Sequence, residues 1–195
     1  MGRVIARPAF LDETELPEIL LKTARLQVLP FEDADFPLLL DLHSDPEVNR
    51  YHSPGPVPMA KEEARRRLNN YVQMHRQSGV SKWKLETLDG EFVGRAGFSW
   101  QQEPAGYELG YSLKRSAWGR GYATEIAREL VRWFFEETDH DHLLAYAVSE
   151  NLASLRVMQK AGMRLWLEME KHDLPCTFYR VDRTEFENLS NQQRV

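Results

Sequence analysis

Apolar and polar positions change period several times along the chain, and each change predicts an element. Between Thr23 and Phe31, Leu26, Gln27 and Val28 alternate as in a half-buried strand. Asp33 or Glu32 then starts a helix carrying Phe36, Leu38, Leu39, Leu40 and Leu42 and ending near His43, and Ser44-Asp45-Pro46-Glu47 opens a second with proline in its first turn. Ser53-Pro54-Gly55-Pro56-Val57-Pro58 is a stiff loop. From Lys61 to Gln77, Ala64, Leu68, Tyr71, Val72 and His75 recur at helical spacing, which predicts an amphipathic surface helix whose Arg65-Arg66-Arg67 run faces mostly solvent.

The period then falls to two. Val80 to Leu88 and Glu91 to Trp100 flank Asp89-Gly90, a two-residue hairpin signal, and Tyr107 to Lys114 is a third strand. A helix from about Tyr122 to Glu137 buries Ala123, Ala127, Leu130, Val131 and Phe134; His142 to Ser149 is an apolar strand. Leu152 to Ala161 is a short helix stopped by Gly162, and Met163 to Met169 and Thr177 to Arg183 are closing strands, followed by a polar tail expected to fray. This order predicts an α/β fold on a mixed, mostly antiparallel sheet flanked by helices, with one crossover helix. The expected organisation is an N-terminal arm over 1–22, one domain over 23–185 and a polar tail over 186–195. An apolar patch in the arm, Leu16 to Leu21, suits a short helix or a dimer contact.

Composition narrows the function. The chain has 195 residues, 42% hydrophobic and 28% charged, enough for one good core. Its formal net charge of -5 gives no overall basic field to draw it onto nucleic acid or an anionic membrane. A mildly acidic surface suits cationic or amine-bearing substrates instead. Cys176 is the only cysteine, which rules out an internal disulfide and a thiolate zinc cluster and points to a reducing cytoplasm. No stretch approaches the roughly 18 apolar residues of a membrane span.

The most informative segment lies between the third strand and the helix that follows it: Arg115-Ser116-Ala117-Trp118-Gly119-Arg120-Gly121. Glycines permit unusual backbone dihedrals and close approach of a ligand, and the free N–H groups of a helix start favour phosphate. Arg120 and Arg115 add positive charge. Two glycines also suffice for a plain tight turn. No Gly-Lys-Ser/Thr follows, so this is not a Walker loop, and Thr124 stands where a dinucleotide fingerprint needs its third glycine.

Tyr107-Glu108-Leu109-Gly110-Tyr111-Ser112-Leu113, followed by Trp118-Gly119-Arg120-Gly121-Tyr122-Ala123-Thr124-Glu125, resembles the donor-binding core of the GNAT superfamily of N-acetyltransferases. Thr23-Ala24-Arg25-Leu26, Ser44-Asp45-Pro46-Glu47-Val48, and Asn151-Leu152-Ala153-Ser154-Leu155-Arg156 through Lys160-Ala161-Gly162-Met163 are similar to its RimJ/RimL-like branch of ribosomal-protein N-terminal acetyltransferases. The superfamily's phosphate motif usually begins with Gln or Arg; Trp118 takes that place here, as is common in this branch, and Gly121 and Ala123 take the later ones. The resemblance implies a GNAT-like fold with splayed central strands and acetyl-coenzyme A as co-substrate, with no metal. It implies that the N–H groups of Gly119, Arg120, Gly121, Tyr122, Ala123 and Thr124 hold the pyrophosphate, and that pantetheine docks along Tyr111, Ser112 and Leu113. The N–H of Leu113 is then a candidate oxyanion donor. The family often forms homodimers, and the N-terminal arm offers an apolar surface for one.

Amine acylation needs a proton acceptor and a proton for the departing thiolate, but no covalent nucleophile. Glu108 alternates with Tyr107 and Leu109 and therefore points away from their core-facing side chains, toward the cleft. That makes it the first candidate base, ahead of Glu103 and Asp89, although a solvated strand carboxylate would look the same. Many GNAT enzymes use a tyrosine seven residues after the asparagine of the late helix as acid, but Met158 stands there. Ser154, one helical turn from Asn151, is the remaining candidate, with solvent as the other proton source; it is also read as a donor-site contact or a plain helix-start serine, and Asn151 as a pantetheine contact or an N-cap. Trp83, Trp100, Tyr51 and Tyr107 are candidates for the acceptor cleft or for core. His140-Asp141-His142 reads as a turn entering a strand rather than a metal site, and Cys176 as a packed side chain. The acceptor expected first is the amine of a protein or peptide N-terminus. A small amine such as an amino acid, polyamine or aminoglycoside is the second, and a coenzyme-A-binding module without turnover the third.

Overall fold

The structure, a computed structural model, describes residues 18–52 and 55–192, with side chains as far as residue 188. Most of the N-terminal arm, including Leu16 of its apolar patch, and residues 53, 54 and 193–195 lie outside the described part. Eight strands form one sheet in the order β1-β2-β3-β4-β5-β6-β8-β7. In chain order, β1 (Leu21–Lys22) pairs with β2 (Leu26–Leu29), and a 3-10 turn then leads into α1 (Phe36–Leu42). Next come α2 (Pro46–Asn49), α3 (Lys61–Ser78), β3 (Lys82–Thr87), β4 (Phe92–Gln102), β5 (Ala105–Leu113) and α4 (Tyr122–Glu137). The chain closes with β6 (His142–Val148), α5 (Leu152–Lys160), β7 (Arg164–Lys171), β8 (Leu174–Asp182) and α6 (Arg183–Gln192).

Each local signal has a physical counterpart. Asp45 caps α2 by accepting the Glu47 N–H at 2.9 Å, with Pro46 in the first turn where a missing donor costs nothing. Gly79 ends α3 in the left-handed region, at φ 69°. The β3–β4 connection is one residue longer than the Asp-Gly signal predicts. The Thr87 N–H donates to the Glu91 carbonyl and Gly90 sits at φ 85°, so three residues form the loop and a left-handed glycine closes it. The tail also departs from expectation, because 183–192 is helical: Phe186 stacks on Phe135 at 5.1 Å and Arg183 donates to the Phe135 carbonyl.

Strand alternation sorts the sheet into two faces. Trp83, Phe98, Leu109 and Leu113 join Ile126, Leu130 and Phe134 of α4 in the main core. The paired rows Lys82–Gly97–Gly110 and Lys84–Arg95–Ser112, with Ser99 opposite Glu108, lie on the other face. A second apolar cluster joins Leu39 and Leu42 of α1 to Leu68, Tyr71 and Val72 of α3.

β5 and β6 are parallel neighbours joined by the crossover helix α4, and their register holds only at Glu108 opposite Leu144. Beyond that point the strands part. The Lys114 N–H donates to the Val93 carbonyl of β4, so by antiparallel alternation the even-numbered residues of β5 bond to β4. The N–H groups of Tyr111 and Leu113 therefore face the gap.

Candidate active site

The gap continues into a cleft of about 860 Å³ lined from one end by Gly119, Gly121 and Thr124 and from the other by Lys82, Glu108 and Lys171. At the first end, Gly119 (φ 73°) and Gly121 (φ 80°) turn the chain from strand to helix. The first intrahelical bond of α4 is from the Glu125 N–H to the Gly121 carbonyl, which leaves the N–H groups of Tyr122, Ala123 and Thr124 without helical partners. Trp118 lines the cleft and its indole donates to the Leu113 carbonyl at 2.9 Å, fastening the turn to the end of β5. Arg120 is exposed, and its carbonyl accepts from Arg25 at 2.8 Å. Glu125 ties the turn to the opening strand by accepting from Thr23 Oγ1 at 2.6 Å and from the Arg25 backbone at 3.0 Å.

Midway along the cleft, Asn151 caps α5, its Oδ1 accepting the Ser154 N–H at 3.2 Å, while both residues line the wall. Met158 is buried one turn further on. The Tyr111 hydroxyl is buried without a protein hydrogen bond, and burial pushes its pKa up to about 12 against a smaller downward pull from Ser154.

Glu108 lies at the apex where β5 and β6 part. Its Oε2 accepts from Ser99 Oγ at 2.8 Å and from Gln101 Nε2 at 3.2 Å, and lies 3.7 Å from Lys82 Nζ. Its Oε1 occupies the space over Gly110 that a Cβ would fill, at 2.6 Å. Lys82 is buried, and desolvation lowers its pKa to about 8 although Glu108 opposes the shift. The wall beyond carries His52, whose ring lies 5.9 Å from that of the fully buried His43. Burial first, and then the positive charge of Arg95, lower both to about 3 and hold them neutral.

Of the four aromatic candidates for this cleft, only Tyr51 lines it. Trp83 is packed between Phe98 and Trp133 in the core, because Lys82 takes the cleft side of β3. Trp100 and Tyr107 meet edge to face, and both rings pack against His140 on the far face. His140 thus belongs to an aromatic cluster, while His142 opens β6 and contacts the Ala105 carbonyl. Cys176 is buried at the cleft wall, and desolvation raises its thiol pKa. Glu103 and Asp89 do not line the cleft. Arg67 turns partly inward to line it, whereas Arg66 of the same run is exposed.

Residues 25–164 match the family described as Acetyltransferase (GNAT) domain. The chain belongs to the GNAT acetyltransferase family. It is 33% identical over 163 residues to the uncharacterized protein YkkB of Bacillus subtilis (strain 168), covering 82% of this chain and 93% of that protein. It is 31% identical over 174 residues to the FsC-acetyl coenzyme A-N(2)-transacetylase of Aspergillus fumigatus, covering 80% of this chain and 69% of the relative. Among solved structures it shares the fold of RimL, a ribosomal L7/L12 alpha-N-protein acetyltransferase in complex with coenzyme A. The TM-score is 0.72 at 18% identity, over 85% of this chain and 98% of that one. This GNAT protein is an acetyl-coenzyme-A-dependent N-acetyltransferase, which sets the binding-module reading aside.

The cleft fits such a co-substrate. It offers unpartnered helix N–H groups at one end, strand N–H groups facing the gap, and an orphaned buried hydroxyl between them. No helix among the described residues is long and apolar enough to cross a membrane. Sequence reasoning pointed to the loops around Tyr51 to Met59 and Gln101 to Gly106 for acceptor specificity, which contain His52 and Gln101, but passed over Lys82, Arg95 and Ser99. A signal for two of them was present: Lys82 and Arg95 are charges inside runs that otherwise read as buried strand, Val80 to Leu85 and Phe92 to Phe98.

Proposed function

We propose that this GNAT enzyme acetylates the α-amine of a protein or peptide N-terminus, with Glu108 as general base. The observation that carries the base assignment is the carboxylate at the strand apex, held through one oxygen by Ser99 and Gln101 and open at the other. Releasing a proton at pH 7 costs about 1 kcal/mol for an α-amine and about 4.6 kcal/mol for a lysine side chain, so a carboxylate base suits the former. Bound acetyl-coenzyme A supplies the activated acetyl group and the thiol leaving group.

The free N–H groups of Gly119, Arg120, Gly121, Tyr122, Ala123 and Thr124 are the pyrophosphate cradle, on the support of the glycine dihedrals and the uncapped helix start. Tyr111, Ser112 and Leu113 form the strand edge for pantetheine. The Leu113 N–H is aimed to stabilise the carbonyl oxygen as it gains charge. The Asn151 amide is free to donate, because only its oxygen is used in capping. Glu108 takes the ammonium proton as the new C–N bond forms and the C–S bond breaks. Tyr111, at about 12, is a weaker acid than a thiol at about 8.5, and so is the hydroxyl of Ser154; both therefore donate hydrogen bonds to the thiolate while solvent returns the proton.

Replacing Glu108→Gln tests the base. We expect kcat to fall about 100-fold with the Michaelis constant for acetyl-coenzyme A unchanged and the acidic limb of the rate profile lost. An unaltered rate and profile would remove Glu108 from the mechanism. A second reading, an amine outside proteins, is supported by the similarity to the Aspergillus transacetylase. A thiol-release screen of N-terminal peptides, amino acids, polyamines and aminoglycosides separates the two. Strong response to one small amine and none to peptides would favour the second.

A further inference from the structure

The protein as a whole is acidic, at -5, yet the lining of its cleft is not. Five cationic side chains line it, Arg50, Arg67, Lys82, Arg95 and Lys171, against two carboxylates, Glu47 and Glu108. Arg50 is paired with Glu47 at 2.8 Å, Lys82 with Glu108 at 3.7 Å, and Arg67 with Glu63 behind the wall at 2.8 Å. Arg95 is different. Only 5% exposed, it has no carboxylate partner among the described residues. Its Nε donates to His43 Nε2 at 3.4 Å, and its guanidinium lies 5.9 Å from the centre of the Tyr71 ring. His43 cannot neutralise it. That ring turns its Nδ1 to the Asn49 side-chain oxygen at 2.8 Å, an acceptor, so Nδ1 carries the proton and Nε2 offers Arg95 only a lone pair.

A guanidinium held this far from water without a counter-charge is costly, and buried cations in native proteins are paired. Here the face left unbonded is the Nη edge, and the residue lines the cleft. Arg95 stands opposite Ser112 on the same sheet face as Glu108, the face away from α4 and its phosphate turn. Between the Arg95 and Glu108 rows lie Gly97 and Gly110; the Ser81 carbonyl closes over the first, and the Glu108 carboxylate and Lys82 ammonium reach over the second.

We propose that Arg95 is the receptor for a carboxylate carried by the acceptor, so that the substrate class is an amino-carboxylate: one end presents its amine to Glu108 and the other its carboxylate to Arg95. A single buried cation without a carboxylate partner among the described residues calls for a monoanion rather than a phosphate dianion, and the planar fork of arginine matches a carboxylate bidentately. Lys171, which donates to Gln101 at 2.8 Å and has no acidic partner among the described residues, adds to the positive field. Polyamines and aminoglycosides are disfavoured, since their charge repeats that of Arg95. This rests on the proposed function, because it deepens the acceptor half of the same reaction.

The test is thiol release, with rates expressed per free-base amine, for pairs that differ in that charge: free amino acids against their amides, and peptides beginning with Asp or Glu against the same peptides beginning with Asn or Gln. We expect kcat/KM for the carboxylate member to exceed its neutral partner by about 30-fold, the effect of one charge-assisted pair. Arg95→Leu should reduce that ratio to near one and Arg95→Lys should retain part of it, both with the Michaelis constant for acetyl-coenzyme A unchanged. A preference seen with free amino acids alone assigns the carboxylate to the α-carbon, and one seen with acidic peptides assigns it to a side chain. Equal rates for both members in the unmodified enzyme would overturn the proposal without touching the acetyl-transfer reading, and would do so even if the variants failed to fold. A change confined to the Michaelis constant for acetyl-coenzyme A would move Arg95 to the donor half and overturn it as well. Absence of thiol release with every amine would overturn both readings.

Discussion

At the scale of single residues, the candidate base depends on what is missing beside it. Glu108, Gly110 and Ser112 share one side of β5, and the Glu108 carboxylate and the Lys82 ammonium both lean into the space over Gly110. A Cβ there would come within 2.6 Å of Glu108 Oε1 and 2.7 Å of Lys82 Nζ. Those atoms are the free ends of long side chains, so they would swing aside rather than force the backbone open. Gly110→Ala should therefore fold, with a melting temperature within a few degrees of the parent, but lose about tenfold or more in kcat because the carboxylate is displaced by an ångström or more. The Michaelis constant for acetyl-coenzyme A should hardly move, since the strand N–H groups facing the gap are untouched. Steady-state kinetics with a saturating amine read this directly. Full activity in the alanine variant would show that the Glu108 position is not critical.

At the scale of elements, the phosphate turn is held from both sides. Trp118 fastens it to β5, and Glu125 fastens it to the residues entering β2 through bonds to Thr23, the Arg25 backbone and the Arg25 side chain. Glu125 also sits in the first turn of α4, where a negative charge suits the helix dipole. Arg25 is half exposed, so the ion pair itself contributes little and the bonds from Thr23 and the backbone matter more. Glu125→Ala should cost about 1–2 kcal/mol in a denaturant titration and raise the Michaelis constant for acetyl-coenzyme A several-fold, with kcat nearly unchanged. A loss confined to kcat would contradict a positioning role. These elements also show what the sequence discloses. α4 was readable to the residue because seven buried positions repeat at helical spacing over four turns and the glycines mark its start. α6 was not, because its polar residues hide a single anchor, Phe186, whose partner lies on α4. Glu108 was readable from alternation within one strand. The charge of Arg95 stood out inside an apolar run, but its place in the cleft was not readable, because that wall is assembled by the register of three strands and no local period encodes such pairings.

At the scale of the whole molecule, the unpaired charge of the cleft and the neutrality of its histidines set how the fold responds to acid. His43 is fully buried between α1, Asn49 and Arg95, and His52 bonds Ser112 at 3.1 Å; both are held down to about 3, chiefly by burial and then by Arg95. In the unfolded chain each returns to about 6.5. Between those values the unfolded state binds more protons than the folded one, so stability from these groups is complete above about pH 6.5 and is lost as pH falls toward 3. Each contributes a slope of up to about 1.4 kcal/mol per pH unit across that window. Carboxylates also lose their pairings in acid, but mainly below pH 5, so the interval from pH 6.5 to 5 isolates the histidines. His43→Gln replaces the buried ring with a group that cannot ionise. Denaturant titrations of parent and variant at half-unit steps should show the parent losing stability across that interval about 1 kcal/mol per pH unit more steeply. Parallel curves would mean that His43 is not held neutral in the fold, and would weaken the case that the positive charge of Arg95 goes uncompensated in the protein.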